Sequence, residues 1–203
     1  MARNAPLDGC AATGQKQTFM ALFNFKRFNM KNQMLIVLGG LPGVGKTAIA
    51  REIVTRFPSA YLRIDTIEQA FKKVNAAQDV GPAGYVVAYE LATSNLALGM
   101  TVVADCVNPL SVTREAWRNV ASKTSSTLLE VEIVCSDLVE HRRRVQTRKA
   151  DITGHVMPKW EDVLDHEYEP WTSRRLIIDS ALIEANDAAN AILEASRHPP
   201  ADD

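Results

Sequence analysis

Residues 40–47 read Gly-Leu-Pro-Gly-Val-Gly-Lys-Thr and fit the pattern G-x-x-x-x-G-K-[ST] at every fixed position. This feature constrains the fold most, because the pattern works only with a strand before it and a helix after it. Both are legible. Met34 to Leu38 is a short continuous apolar run, as in a buried strand, and Ile49, Ala50, Ile53, Val54 and Phe57 recur at helical spacing. Gly40, Gly43 and Gly45, with Pro42 and Val44 between them, let the backbone turn sharply and aim several N–H groups into one concavity. The N-terminus of the following helix adds its positive end. The stretch therefore predicts a phosphate-binding loop. Lys46 would carry a mobile positive charge to the β and γ phosphates of a nucleotide, and the Thr47 hydroxyl would join the shell of a phosphate-bound Mg²⁺. The competing reading, a glycine-rich turn that binds nothing, is disfavoured by the strand and helix on either side.

Composition sets limits around that loop. With 203 residues and 46% hydrophobic content, the chain can bury one core. A net charge of −1 predicts neither a nucleic-acid footprint nor a polyanionic tail, so nucleic acid is not an expected partner. Cys10, Cys106 and Cys135 are scattered and odd in number, without C-x-x-C spacing, which argues for reduced cytoplasmic thiols over a disulfide framework or a zinc site. No apolar run approaches the roughly 18 residues of a membrane span, and no signal-type apolar core opens the chain, so no membrane partner is expected. Residues 1–32 carry Phe19, Phe23, Phe25 and Phe28 but no motif, and they read as a mobile N-terminal extension, with Met20, Met30 and Met34 as alternative starts. Residues 33–203 read as the working domain. The oligomeric state has no signal in the sequence.

Two acids stand where strands end. Ala60 to Ile64 reads as a second strand delivering Asp65 at its carboxyl end, with a helix from Thr66 to about Asn75. In open α/β sheets ligands bind just beyond the carboxyl ends of the strands, so Asp65 and the phosphate-binding loop should share a cleft. Asp is also a favoured helix cap, and both readings stand for Asp65. After a Gly- and Pro-containing loop from Gln78 to Gly84 and a helix from Tyr85 to Leu98, Met100 to Ala104 reads as a third strand. It ends in Asp105, and Cys106, Val107, Asn108 and Pro109 make the exit turn. A carboxylate there suits a magnesium-directing role beside the loop, or simply caps the turn. Ser111 to Ala121 reads as a helix with Trp117 and Val120 inward and Arg114 facing either cleft or solvent. Thr127 to Val134 reads as a fourth strand, Arg175 to Ile178 as a fifth, and Ser180 to about Leu193 as a closing helix. Strands alternating with helices imply right-handed crossovers and a parallel sheet.

Residues 137–170 interrupt that alternation. Asp137 to Lys149 reads as a helix with Leu138 and Val145 as its inner stripe, carrying Arg142, Arg143, Arg144, Arg148 and Lys149. Arg144 and Arg148 are four apart and share a face, so both could reach the same phosphates. A turn from Asp151 to Pro158 leads into an acidic return arm with Glu161, Asp162, Asp165, Glu167 and Glu169, ending at Pro170 and Trp171. The pattern suits a closing lid, against the alternative of a solvated charged helix with internal ion pairs. Asp151-Ile-Thr-Gly154 matches the D-x-x-G string of GTPases, but it follows a helix and no N-K-x-D motif exists. His155 and His166 have no third ligand at metal-binding spacing.

The loop at 40–47, Asp65 after the second strand, Asp105-Cys-Val-Asn108 after the third, and the Arg142 to Arg148 arm together resemble one group of proteins. They are similar to the P-loop kinases of the polynucleotide-kinase, chloramphenicol-phosphotransferase and zeta-toxin type, often grouped as AAA-type ATP-binding proteins, over Met34 to about Leu193. The resemblance implies an α/β three-layer P-loop fold with a five-stranded parallel sheet in 2-3-1-4-5 order and a helical lid. It implies ATP with Mg²⁺, and phosphoryl transfer to a hydroxyl. Asp65 would be general base and Arg144 or Arg148 the lid arginine. Nucleic-acid 5'-kinases commonly carry D-x-x-R after the second strand, whereas this chain has Asp65-Thr-Ile-Glu68. A small polar acceptor is therefore expected over a polynucleotide, with Asp65, Glu68, Asn108 and Arg114 as candidate contacts and Glu68 favouring a neutral or cationic group. The rival reading is an ATP-binding regulatory switch that catalyses no small-molecule transfer.

Overall fold

The computed structural model describes residues 33–74 and 80–197. The expected extension at 1–32 and Cys10 lie outside them. Strand β1 (Met34–Gly39) leads through the glycine loop into helix α1 (Lys46–Arg56). Then come β2 (Ser59–Arg63), α2 (Ile64–Val74), α3 (Ala83–Ala97), β3 (Thr101–Asp105), α4 (Ser111–Thr124) and β4 (Thr127–Val134). The lid region holds α5 (Leu138–Thr147) and α6 (Trp160–Leu164), and the chain closes with β5 (Leu176–Asp179) and α7 (Ala185–Arg197). The five strands form one parallel sheet in the order β2-β3-β1-β4-β5, as expected.

The unbroken apolar run of β1 follows from its central place, because each face of a buried parallel strand must be apolar. Ile36 and Leu38 pack with Ile49, Ala50 and Ile53 of α1 and with Ala188, Ala189 and Ile192 of α7. Leu35 and Val37, on the opposite face, pack with Ala88, Ala92 and Leu96 of α3 and Trp117, Val120 and Ala121 of α4. The register sets Leu38 and Arg63 on either side of Asp105, so β1, β2 and β3 end at one edge.

Several local expectations change. Asp65 lies inside the first turn of α2, which begins at Ile64, so it is no flanking cap. The inner face of α5 is His141 with Val145, both buried, while Leu138 is 66% exposed. A hydrophobic count misses His141 because its burial rests on polar satisfaction. Its Nε2 meets the Pro42 carbonyl at 2.8 Å and its ring stands edge-on to Trp160 at 5.2 Å. The closing helix starts at Ala185 instead of Ser180. The Asp179 carboxylate accepts the N–H groups of Ser136 and Ala181, and that local turn competes with helix. Among the described residues no helix is long and apolar enough to cross a membrane, and Cys106 and Cys135 are buried free thiols.

Candidate active site

The loop holds its shape because its glycines cannot be replaced. Gly40 has φ 137°, and a Cβ there would stand 2.2 Å from the Ile133 carbonyl oxygen. Gly43 has φ 88°, and its Cβ would stand 2.5 Å from Val145 Cγ2 of α5. The loop is thus wedged between β4 and the lid's first helix. No side chain caps α1, whose N-cap is Gly45, whereas Asp137 caps α5 by accepting from the amides of Val139 and Glu140. The uncapped amides of α1 and the loop form a concavity suited to an anion.

Lys46 is buried at 8% exposure, and its ammonium donates to the carbonyls of Gly40 at 2.7 Å and Leu41 at 2.9 Å. Burial lowers its proton affinity, and the nearby Asp105 and Asp65 carboxylates pull the other way. Charged phosphate oxygens are stronger acceptors than carbonyls, so nucleotide binding would draw the ammonium off the loop.

Two cavities meet across Lys46 and Thr47. One, of about 280 Å³, is bounded by Gly43, Gly45, Arg51, Arg148, Lys149 and Asp151 besides those two. The other, of about 320 Å³, brings Asp65 and Asp105 together with Pro42, Arg148, His155 and Asp162. Arg148 lines both, on the boundary between them. Sequence-expected Lys46, Thr47, Asp65, Asp105, Pro42 and Arg148 are therefore gathered at one place.

Asp105 is 3% exposed, accepts the Tyr61 hydroxyl at 2.8 Å, and has Arg63 Nε 3.8 Å away. The carboxylate and burial together push the Tyr61 phenol well above its usual range, with burial the larger cause, so Tyr61 stays a donor. Among the described residues no group of three or more His, Cys, Asp or Glu could hold a metal alone. The Thr47 hydroxyl and the Asp105 carboxylate line one cavity and are the oxygen donors that would hold a magnesium ion arriving on phosphate.

Other expectations need correction. Arg144 lines neither cavity. It pairs with Glu140 at 2.7 Å and donates to Ser180 Oγ and O. Arg143 pairs with Glu140 too, and hydrogen bonds from both arginines hold the Glu140 carboxyl down at about 2. This half of the arm is the ion-paired helix of the alternative reading. Arg114 faces neither cleft nor solvent. At 2% exposure it donates to the carbonyls of Asn108, Pro109, Glu169 and Pro170 and lies 4.3 Å from the Trp171 ring centroid, stapling the return arm to the turn after β3. Glu68 lines neither cavity, and its Cγ lies against Gly84 of α3. Asn108 is fully buried at φ 51° behind the cavity-lining Val107, and its backbone N–H donates to Tyr85 Oη at 2.9 Å.

Three residues escaped the sequence reading. Arg63, an arginine closing a buried strand, joins Asp65 at 3.4 Å and Asp151 at 2.8 Å. His155 and Asp162 line the larger cavity from the lid. Arg63 carried a signal, since a charged residue ending an apolar strand is rarely buried without a partner; the other two carried none.

A family model described as an AAA domain matches residues 35–166. The chain belongs to this AAA domain family. No curated protein sequence matches it. Among solved structures, this AAA domain protein is similar to a Chloroflexus aurantiacus protein provisionally assigned as a kinase, at 18% identity and TM-score 0.67, over 81% of this chain and 98% of that one. It is also similar to the Mycobacterium tuberculosis APS kinase CysC solved with AMPPNP and APS, at 16% identity and TM-score 0.62, over 80% and 96% of the two chains. A gluconokinase from Sinorhizobium meliloti matches at 20% identity and TM-score 0.57, over 82% and 94%. At these identities the likeness establishes the P-loop α/β sandwich of the AAA domain protein.

Proposed function

We propose that this protein is an ATP-dependent kinase that transfers the γ-phosphoryl group to a hydroxyl of a small polar molecule. The observation that carries the reading is the shared cavity in which Asp65 faces Lys46 and Thr47, with Arg148 on the boundary with the loop-side cavity. The loop amides and Lys46 bind the phosphates, and Thr47 with Asp105 would hold a magnesium ion, which would supply charge neutralisation on the phosphates. Asp65 orients the attacking hydroxyl and accepts its proton. Arg148 offers its guanidinium to the charge that develops on the moving phosphoryl group. Met157 and Pro158 of the lid line the larger cavity on the acceptor side. With Lys46 and Arg148 committed to phosphate, Asp65 and Asp162 dominate that end, which favours a neutral or cationic acceptor. The finer resemblance, to kinases of the polynucleotide-kinase, chloramphenicol-phosphotransferase and zeta-toxin type, is supported by the position of Asp65 after β2 and of Arg148 in the lid.

The test is a metabolite-pool screen for ATP-dependent phosphorylation, run with the wild type and Asp65→Asn. The substitution keeps shape and removes the base, so kcat should fall by about 10² to 10⁴-fold with little change in melting temperature. Full kcat in Asp65→Asn refutes the role of Asp65. A nucleotide-bound protein with no acceptor turnover favours the regulatory switch.

A further inference from the structure

The lid turn begins with an acid that the kinase reading leaves without a task. The Asp151 carboxylate gathers guanidinium groups from three separate segments of the chain. Arg63, at the end of β2 and only 4% exposed in its side chain, reaches it twice, through Nη1 at 2.8 Å and Nη2 at 3.1 Å. Arg51 of α1 bonds Oδ2, the oxygen that also accepts from Arg63 Nη1. Arg148, three residues back, stands 3.9 Å away. Immediately beyond Asp151 the chain supplies His155, Val156, Met157 and Pro158 to the wall of the larger cavity.

We propose that Asp151 is the positioning residue of the lid, clasping Arg63 and Arg51 of the core so that Arg148 is set above the phosphate-binding loop before nucleotide arrives. Charge-assisted bonds to a mostly buried guanidinium hold a fixed direction, which a solvated surface pair does not. The arms on either side have their own small core, where Val145, Trp160 and Val163 cluster with Leu41 against them. That cluster locates the two helices, and Asp151 locates the turn between them.

The clasp acts on the base as well. Both terminal nitrogens of Arg63 bond Asp151, Nη2 also donating to Asp65 at the longer distance of 3.4 Å, while its buried Nε has no hydrogen-bond partner and lies 3.8 Å from Asp105. Without Asp151, the same guanidinium would close on Asp65, now 3.4 Å from Nη2, and compete with a substrate hydroxyl for that carboxylate. Asp151 therefore keeps the bond from Arg63 to Asp65 long and Arg148 in place.

The inference rests on the kinase reading for its consequence but not for its geometry, so the test has two arms. In the first, the ligand-free protein is nicked by trypsin, whose sites after Arg148 and Lys149 flank the clasp. Asp151→Asn should speed nicking there about tenfold, equivalent to about 1.4 kcal/mol in lid opening. Asp151→Glu, which keeps the charge, should remain near the wild-type rate, and Arg51→Met, on an exposed partner, should show part of the increase. Unchanged nicking in Asp151→Asn overturns the clasp. In the second arm, with an acceptor returned by the screen, Asp151→Asn should lower kcat about tenfold or more while MgATP affinity changes less than about twofold. Faster nicking with unchanged kcat overturns the positioning role. Should no acceptor turn over in the wild type, the kinase reading fails, and the nicking rate still decides the clasp.

Discussion

Gly43→Ala probes the junction on which the site depends, the contact between the phosphate-binding loop and α5. Two costs are readable from the structure. The residue sits at φ 88°, where a side chain strains the backbone by about 1–2 kcal/mol. Its new Cβ would also stand 2.5 Å from Val145 Cγ2, and Val145 is buried. Overpacking of this kind costs about 1–3 kcal/mol, so the total should be about 2–5 kcal/mol. The second cost has a signature. Val145→Ala alone removes two buried methyl groups and should cost about 2 kcal/mol. In the double variant the clash disappears, while the strain and the cost of the lost methyl groups persist. Its destabilisation should then fall short of the sum of the two single variants by about 1–3 kcal/mol, well beyond the 0.3–0.5 kcal/mol scatter of independent sites. Urea denaturation of the four proteins closes the cycle, and calorimetry with MgATP should report weaker binding in Gly43→Ala, partly restored in the double variant. Strict additivity would refute the claim that loop and lid helix are packed against one another at this atom pair.

The lid arginines should separate by role. Arg148→Ala should depress kcat by about 10³-fold, as for an arginine finger, while Arg144→Ala and Arg143→Ala, both tied to Glu140, should lose little; equal losses in steady-state kinetics at all three would contradict the assignment. Acid should expose Asp151. The hydrogen bond from Arg63 is the largest cause holding its carboxyl well below the ordinary 3.8, so its stabilisation is fully present above that value and lost as pH falls below it. The melting-temperature gap between wild type and Asp151→Asn should be flat over about pH 5–8 and close in more acidic buffer, and a gap that widens on acidification would contradict the pairing.

Much of the architecture was legible because it rests on short-range patterns. The strand, glycine loop and helix around residues 34–57 appear as read, and so does the parallel sheet order implied by the resemblance. Asp65, Asp105 and Arg148 were legible as candidates because strand ends and a basic arm are local features, and they do share a cavity. Glu68 and Arg114 failed for a common reason. Spacing puts a residue on an element but leaves open which neighbour its side chain meets, and Gly84 took one while four carbonyls and Trp171 took the other. The inner stripe of α5 failed because His141 is buried by a hydrogen bond to Pro42, which hydrophobic periodicity cannot register.

The local chemistry of residues 40–47 was enough to specify an anion-binding loop, since glycine backbone freedom, an uncapped helix start and a lysine are properties of neighbouring residues. The division of the arginines was not. Whether a guanidinium ends as an ion-paired surface group, a buried staple or a lid contact depends on which carboxylates and carbonyls the folded chain brings within about 3 Å. Asp151 meets Arg51 and Arg63 from 100 and 88 residues away, and only the packing of the lid turn against β2 and α1 makes them neighbours.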